Sequence, residues 1–65
     1  MIDAFTAARI LIIDDEVQIR KMLKLAFGQY NFTILEAENA FVGLNLANTQ
    51  RPDLILLDIS LPDRD

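Results

Sequence analysis

The chain has no cysteine, no histidine and no tryptophan. Without cysteine, neither a disulfide nor a thiolate metal site can compensate for small size, and the absence fits a cytoplasmic protein. Without histidine, imidazole ligation and histidine acid–base catalysis are excluded. Positive charge is scarce: 6 Lys and Arg stand against 10 Asp and Glu, for a net charge of −4. That balance argues against direct contact with nucleic acid. No apolar run reaches membrane-spanning length, and the first residues lack the basic region of a signal peptide. What is present is 65 residues, 52% of them hydrophobic, enough for at most one small domain. A chain of this size buries only about 60% of its unfolded surface. So much apolar content means either a dense core or apolar surface left for a partner to cover.

Residues 1–8 show no period and read as a loose lead-in. Arg9-Ile10-Leu11-Ile12-Ile13 is short, β-branched and apolar, as expected of a strand buried on both faces. It runs straight into Asp14-Asp15-Glu16. Adjacent carboxylates repel, so three acids after a buried strand favour a cation site. The competing reading is helix capping, with Asp at the N-cap and Glu in the first turn, but one acid would suffice for that.

Residues 17–30 read as an amphipathic helix with Ile19, Met22, Leu23, Ala26, Phe27 and Tyr30 on its core face. Arg20, Lys21 and Lys24 fall off that face and read as a solvated surface. Gly28 and Asn31 compete to close the helix, and Asn31 is favoured. Residues 32–37 form a second strand whose mixed polarity suits a sheet edge. Asn39 is a good N-cap for a second helix over residues 40–50, with Phe41, Leu44 and Ala47 on one face and Val42 and Leu46 flanking. Gly43 costs that helix about 1 kcal/mol relative to Ala, which a close approach to the sheet would justify. Arg51-Pro52 ends it. The third strand spans residues 54–58, an apolar run that stops on Asp58.

The order is strand, helix, strand, helix, strand, with right-handed parallel crossovers. Strand orders 1-2-3 and 2-1-3 compete. The mixed second strand suits an edge and the apolar first strand a centre, so 2-1-3 is preferred. It puts helices on opposite faces and sets the ends of strands 1 and 3 side by side at a topological switch point. Asp14, Asp15 and Asp58 then converge. A carboxylate trio without His or Cys suits a hard divalent cation, and Mg²⁺ is the natural candidate. Beside Mg²⁺ a carboxylate can attack phosphorus and become an aspartyl phosphate.

Ile-Leu-Ile-Ile-Asp-Asp-Glu, Glu-Ala-Glu-Asn-Ala and Arg-Pro-Asp-Leu-Ile-Leu-Leu-Asp-Ile-Ser-Leu-Pro-Asp, in this order, resemble the receiver domain of bacterial two-component response regulators. The flavour is that of the potassium-transport (Kdp) regulators, which are winged-helix transcription factors. The resemblance runs from Arg9 to the end. It implies a flavodoxin-like α/β fold, here truncated to β-α-β-α-β. It also implies that Asp58 is the phosphoacceptor, that Asp15 binds Mg²⁺ directly and that Asp14 holds a metal-bound water. By the same resemblance the backbone carbonyl of Ser60 ligates the metal and Pro62 shapes the following loop. A sensor histidine kinase would donate the phosphoryl group. Such a receiver is a signalling module, not an enzyme with a separate substrate, although it catalyses its own phosphotransfer.

Receivers of this family are about twice as long, in line with common domain sizes. The resemblance therefore makes residues 1–65 a partial receiver domain without the later strands, the phosphate-sensing Ser/Thr and its Lys partner. In the 2-1-3 order the third strand, Leu54–Leu57, has an exposed apolar edge, and the helix faces are partly uncovered. Self-association through that edge is expected. Two functions compete: a phosphoacceptor module, and a non-catalytic self-associating fragment with at most residual Mg²⁺ binding. An aspartate-nucleophile phosphatase fits less well, because Ser60 stands where such enzymes carry a second acid.

Overall fold

The computed structural model describes residues 8–58. The lead-in, Ser60 and Pro62 therefore lie outside the described residues, apart from Ala8. The elements are β1 (Arg9–Ile13), α1 (Val17–Gly28), β2 (Thr33–Ala37), α2 (Ala40–Gln50) and β3 (Leu54–Leu57). Both strand pairings are parallel and the sheet order is β2-β1-β3. The apolar strand thus takes the centre, where both its edges are hydrogen-bonded and both its faces covered. Ile10, Leu11, Ile12 and Ile13 are all buried.

Alternation along β1 assigns the two faces. Leu11 and Ile13 join Ala37 in the core, with Leu35 of β2 and Leu46 and Ala47 of α2 packed against them. Ile12 lies on the other face. Its register partner Glu36 meets Arg20 and Lys24 of α1, and Leu23 of α1 lines a cavity with Ile12 and Leu56. The helices therefore cover opposite faces, as the 2-1-3 order requires.

Local chemistry explains the ends of the elements. Asn39 caps α2, its side chain accepting from the Val42 amide at 2.8 Å. Arg51 follows in the left-handed region at φ 51°, and Pro52 prevents continuation. Helix α1 stops at Gly28, two residues earlier than the periodicity suggests. Its closing left-handed residue is nevertheless Asn31, at φ 64°, and not Gly28. The tail folds back because the Tyr30 amide donates to the Phe27 carbonyl and the rings of Phe27 and Phe32 meet edge to face at 6.2 Å. Strand β2 begins at Thr33, not Phe32, and β3 ends at Leu57, one residue before Asp58.

The packing faces of both helices differ from those read off the sequence. In α2, Phe41 and Leu44 are 80% and 64% exposed; Ala47 packs on the sheet as expected, but its companions there are Gly43 and Leu46. A Cβ on Gly43 would run into the Ile13 side chain, so the glycine marks the closest approach of helix to sheet. In α1, Met22 and Tyr30 are exposed, while Ile19, Leu23 and Phe27 are half-buried. Heptad-like spacing locates an apolar stripe but not which edge of it meets a strand.

Candidate acidic site at the carboxyl edge of the sheet

Parallel register builds this site. Ile13 pairs with Leu57, so Asp14 and Asp58 are the next residues on adjacent strands. The Asp58 amide donates to the Ile13 carbonyl at 3.0 Å, extending the ladder one step past β3. Asp14 and Asp58 line one cavity of about 300 Å³ with Ile12, Ile13, Leu23 and Ile55 to Leu57. The lining is apolar apart from these two carboxylates.

Asp14 is 5% exposed, the one buried charged residue among those described. Its burial is offset by hydrogen bonds on every side. The amide donates to Ala37 O at 3.0 Å, the carbonyl accepts from Arg20 Nη1 at 2.7 Å, and Oδ1 accepts from the Glu16 amide at 2.9 Å. This last bond turns the chain from β1 into α1. Glu16 is the N-cap of α1 yet makes no side-chain cap, and the first turn holds no acid. The capping reading of Asp14-Asp15-Glu16 thus fails in its usual form: no acid here caps the helix with its side chain.

Asp15 and Glu16 are exposed. One carboxylate oxygen from each of Asp14, Asp15 and Glu16 lies within 4.8 Å of the others. Glu16 is a member of this cluster that the sequence-based ligand set omits. The donor set fits a hard divalent cation: three carboxylates, no nitrogen and no sulfur. Asp58 stands outside this cluster of side chains and reaches the site from the facing strand.

Arg20 is the residue that sequence reasoning placed wrongly. Its side chain is 15% exposed and so does not belong to a solvated face. Nε pairs with Glu36 Oε1 at 3.2 Å while Nη1 holds the Asp14 carbonyl. Lys24 joins the same glutamate at 3.3 Å, and Lys21 is exposed. Its place in the first turn of α1, close in sequence to the acidic loop, was the one hint available; nothing local pairs it with Glu36 of β2.

A three-stranded parallel sheet, strand order 2-1-3, with an acidic cluster at its switch point belongs to the class of open α/β folds that bind ligands at the carboxyl edge of the sheet. Residues 10–65 match the model of the response regulator receiver domain, and the chain belongs to that family. It is 45% identical over 56 residues to the KDP operon transcriptional regulatory protein KdpE of Escherichia coli, covering 86% of this chain and 25% of that protein. Identity is 36% over 64 residues to a probable transcriptional regulator, ycf27, of Guillardia theta, covering 98% of this chain and 25% of the relative. For the sporulation initiation phosphotransferase F of Bacillus subtilis it is 37% over 57 residues, with 88% and 46% covered. The chain thus spans a quarter to just under half the length of these relatives. Among the described residues, no helix is long and apolar enough to cross a membrane.

Proposed function

We propose that Asp58 accepts a phosphoryl group from a sensor histidine kinase, and that Mg²⁺ is held by Asp14, Asp15, the Asp58 carboxylate and the Ser60 carbonyl. Residues 1–65 then form the first part of a receiver domain whose parent regulates transcription, as the names of KdpE and ycf27 suggest. The observation that carries this reading is that Asp58 and Asp14 line one cavity, within a chain of the receiver family.

The chemistry asks little of the protein beyond placement. An Asp58 oxygen attacks phosphorus, the bond from phosphorus to the kinase's histidine nitrogen breaks, and the imidazole leaves with the electron pair. When bound, the cation would neutralise charge on the phosphoryl oxygens. Asp14 and Asp15 are the carboxylates that would hold that cation. Apolar Ile12, Leu23 and Leu56 line the same cavity as the reacting carboxylate. The β-ladder bond to Ile13 anchors the Asp58 backbone. The added charge at Asp58 then biases a switch.

The test is an intact mass spectrum after incubation with Mg²⁺ and acetyl phosphate, beside an Asp58→Ala control. A gain of one phosphoryl group, lacking in the control, is expected. A folded chain that gains nothing overturns the reading for these residues.

The exposed strand supports a second reading, for the 65 residues in isolation. Leu54, Ile55 and Leu57 are each about half exposed, and among the described strands β3 pairs only with β1. An apolar edge with unpaired backbone groups recruits another strand. The occupant in this reading is a second copy joined at β3, giving a self-associating fragment with at most residual Mg²⁺ binding.

A further inference from the structure

We propose that Arg20 is a positioning residue: its guanidinium, braced by Glu36, fixes the acidic loop in its cation-ready form before any cation arrives. This rests on the reading of Asp14 and Asp15 as cation-holding residues, and it goes beyond that reading by assigning what holds them.

The geometry is specific. Both peptide groups that flank Asp14 are held from the end of β2. The Asp14 amide bonds directly to Ala37 O at 3.0 Å. The Asp14 carbonyl bonds to Arg20 Nη1 at 2.7 Å, and Arg20 Nε in turn bonds to Glu36 Oε1 at 3.2 Å. Glu36 and Ala37 are consecutive residues of one strand, in register with Ile12 and Ile13. One strand end therefore clamps Asp14 twice, once through its own backbone and once through the Arg20–Glu36 bridge. With the backbone fixed, Oδ1 is set to accept from the Glu16 amide, and that bond orders Asp15 between them.

Clustered carboxylates repel in the absence of a cation, and the loop would open if nothing restrained it. An arginine serves here where a lysine would not. The planar fork presents two donors in fixed relative directions, so one side chain spans a carbonyl and a carboxylate. Glu36 has a second role: it offsets the positive charge that Arg20 would otherwise bring next to a cation site. The bridge thus supplies rigidity at little electrostatic cost to the incoming ion. Partners outside the ligand shell commonly change metal affinity by about 10–100-fold. Acting through a backbone carbonyl, Arg20 belongs at the lower end, roughly tenfold.

The test compares Arg20→Ala, Arg20→Lys and Glu36→Gln with the parent chain, reading two quantities. The first is amide hydrogen exchange at Asp15 and Glu16 without metal. The second is the apparent Kd for Mg²⁺ from a titration of the same amides. Arg20→Ala should speed exchange at Glu16 while Ile12 and Leu35 keep their protection, and should weaken Mg²⁺ binding by about tenfold. Arg20→Lys should behave like Arg20→Ala. Glu36→Gln keeps an acceptor for Nε, so exchange at Glu16 should stay near the parent value while Mg²⁺ binding weakens. If Arg20→Ala leaves Glu16 exchange unchanged in a chain that retains the Ile12 protection, the inference is overturned. Rescue by Arg20→Lys overturns it too, since charge alone would then suffice. A parent chain that binds no Mg²⁺ refutes the cation reading, and the metal-free exchange still decides the role of Arg20.

Discussion

Replacing Gly43 with alanine drives a methyl group into the Ile13 side chain. The new Cβ would lie 2.8 Å from Cγ1 of Ile13 and closer still to Cδ1, with Cγ2 at 3.4 Å. Ile13 cannot simply swing aside, because it is 7% exposed and packed in the core with Leu11 and Ala37. Two effects of opposite sign compete. Alanine favours the helix by about 1 kcal/mol over glycine. Overpacking a filled core costs about 1–3 kcal/mol. The clash involves an atom next to the Ile13 Cβ as well as its flexible tip, so the cost takes the middle of that range. The net expectation is a loss of about 1 kcal/mol, equivalent to a fall in Tm of about 4–8 °C for a domain of this size. Gly28→Ala is the internal control. Nothing lies within 4 Å of a Cβ there, and Gly28 does not have positive φ. That change should stabilise by up to about 1 kcal/mol. Urea denaturation of both variants, followed by far-UV circular dichroism, measures the pair. Equal stabilisation by the two substitutions would refute the close-approach argument. The site should feel Gly43→Ala as well, since the Ile13 carbonyl holds the Asp58 amide.

Asn39→Ala removes the acceptor for the Val42 amide and should cost about 1 kcal/mol, read from the same denaturation curves. Asn31→Ala forces a less tolerant residue to φ 64° and should cost about 1 kcal/mol, whereas Asn31→Gly should be close to neutral. If the isolated 65 residues associate through β3, Ile55→Lys should shift sedimentation velocity profiles toward the monomer, because a charged edge strand resists pairing. A parent chain that already sediments as a folded monomer at the same concentration contradicts that interface.

The sequence by itself determined the order of elements and the strand arrangement. Four consecutive apolar residues in β1 favoured a central position, and the polar interruptions of β2 favoured an edge. Strand order then placed Asp14 beside Asp58, because parallel strands in register end together. Asn39 and Asn31 were legible for a related reason: capping and left-handed closure are local, decided by a few neighbouring residues. Tertiary structure alone decided which side chains face the sheet. The apolar stripe of α2 is wide enough to admit several rotations, and the close packing at Gly43 selects the one that leaves Phe41 and Leu44 outside. It alone also decided the fate of Arg20. No local pattern distinguishes a solvated arginine from one that meets Glu36, because that glutamate reaches α1 only once β2 has paired with β1. Local rules specify elements and their ends; contacts between residues far apart in sequence exist only after the sheet has formed.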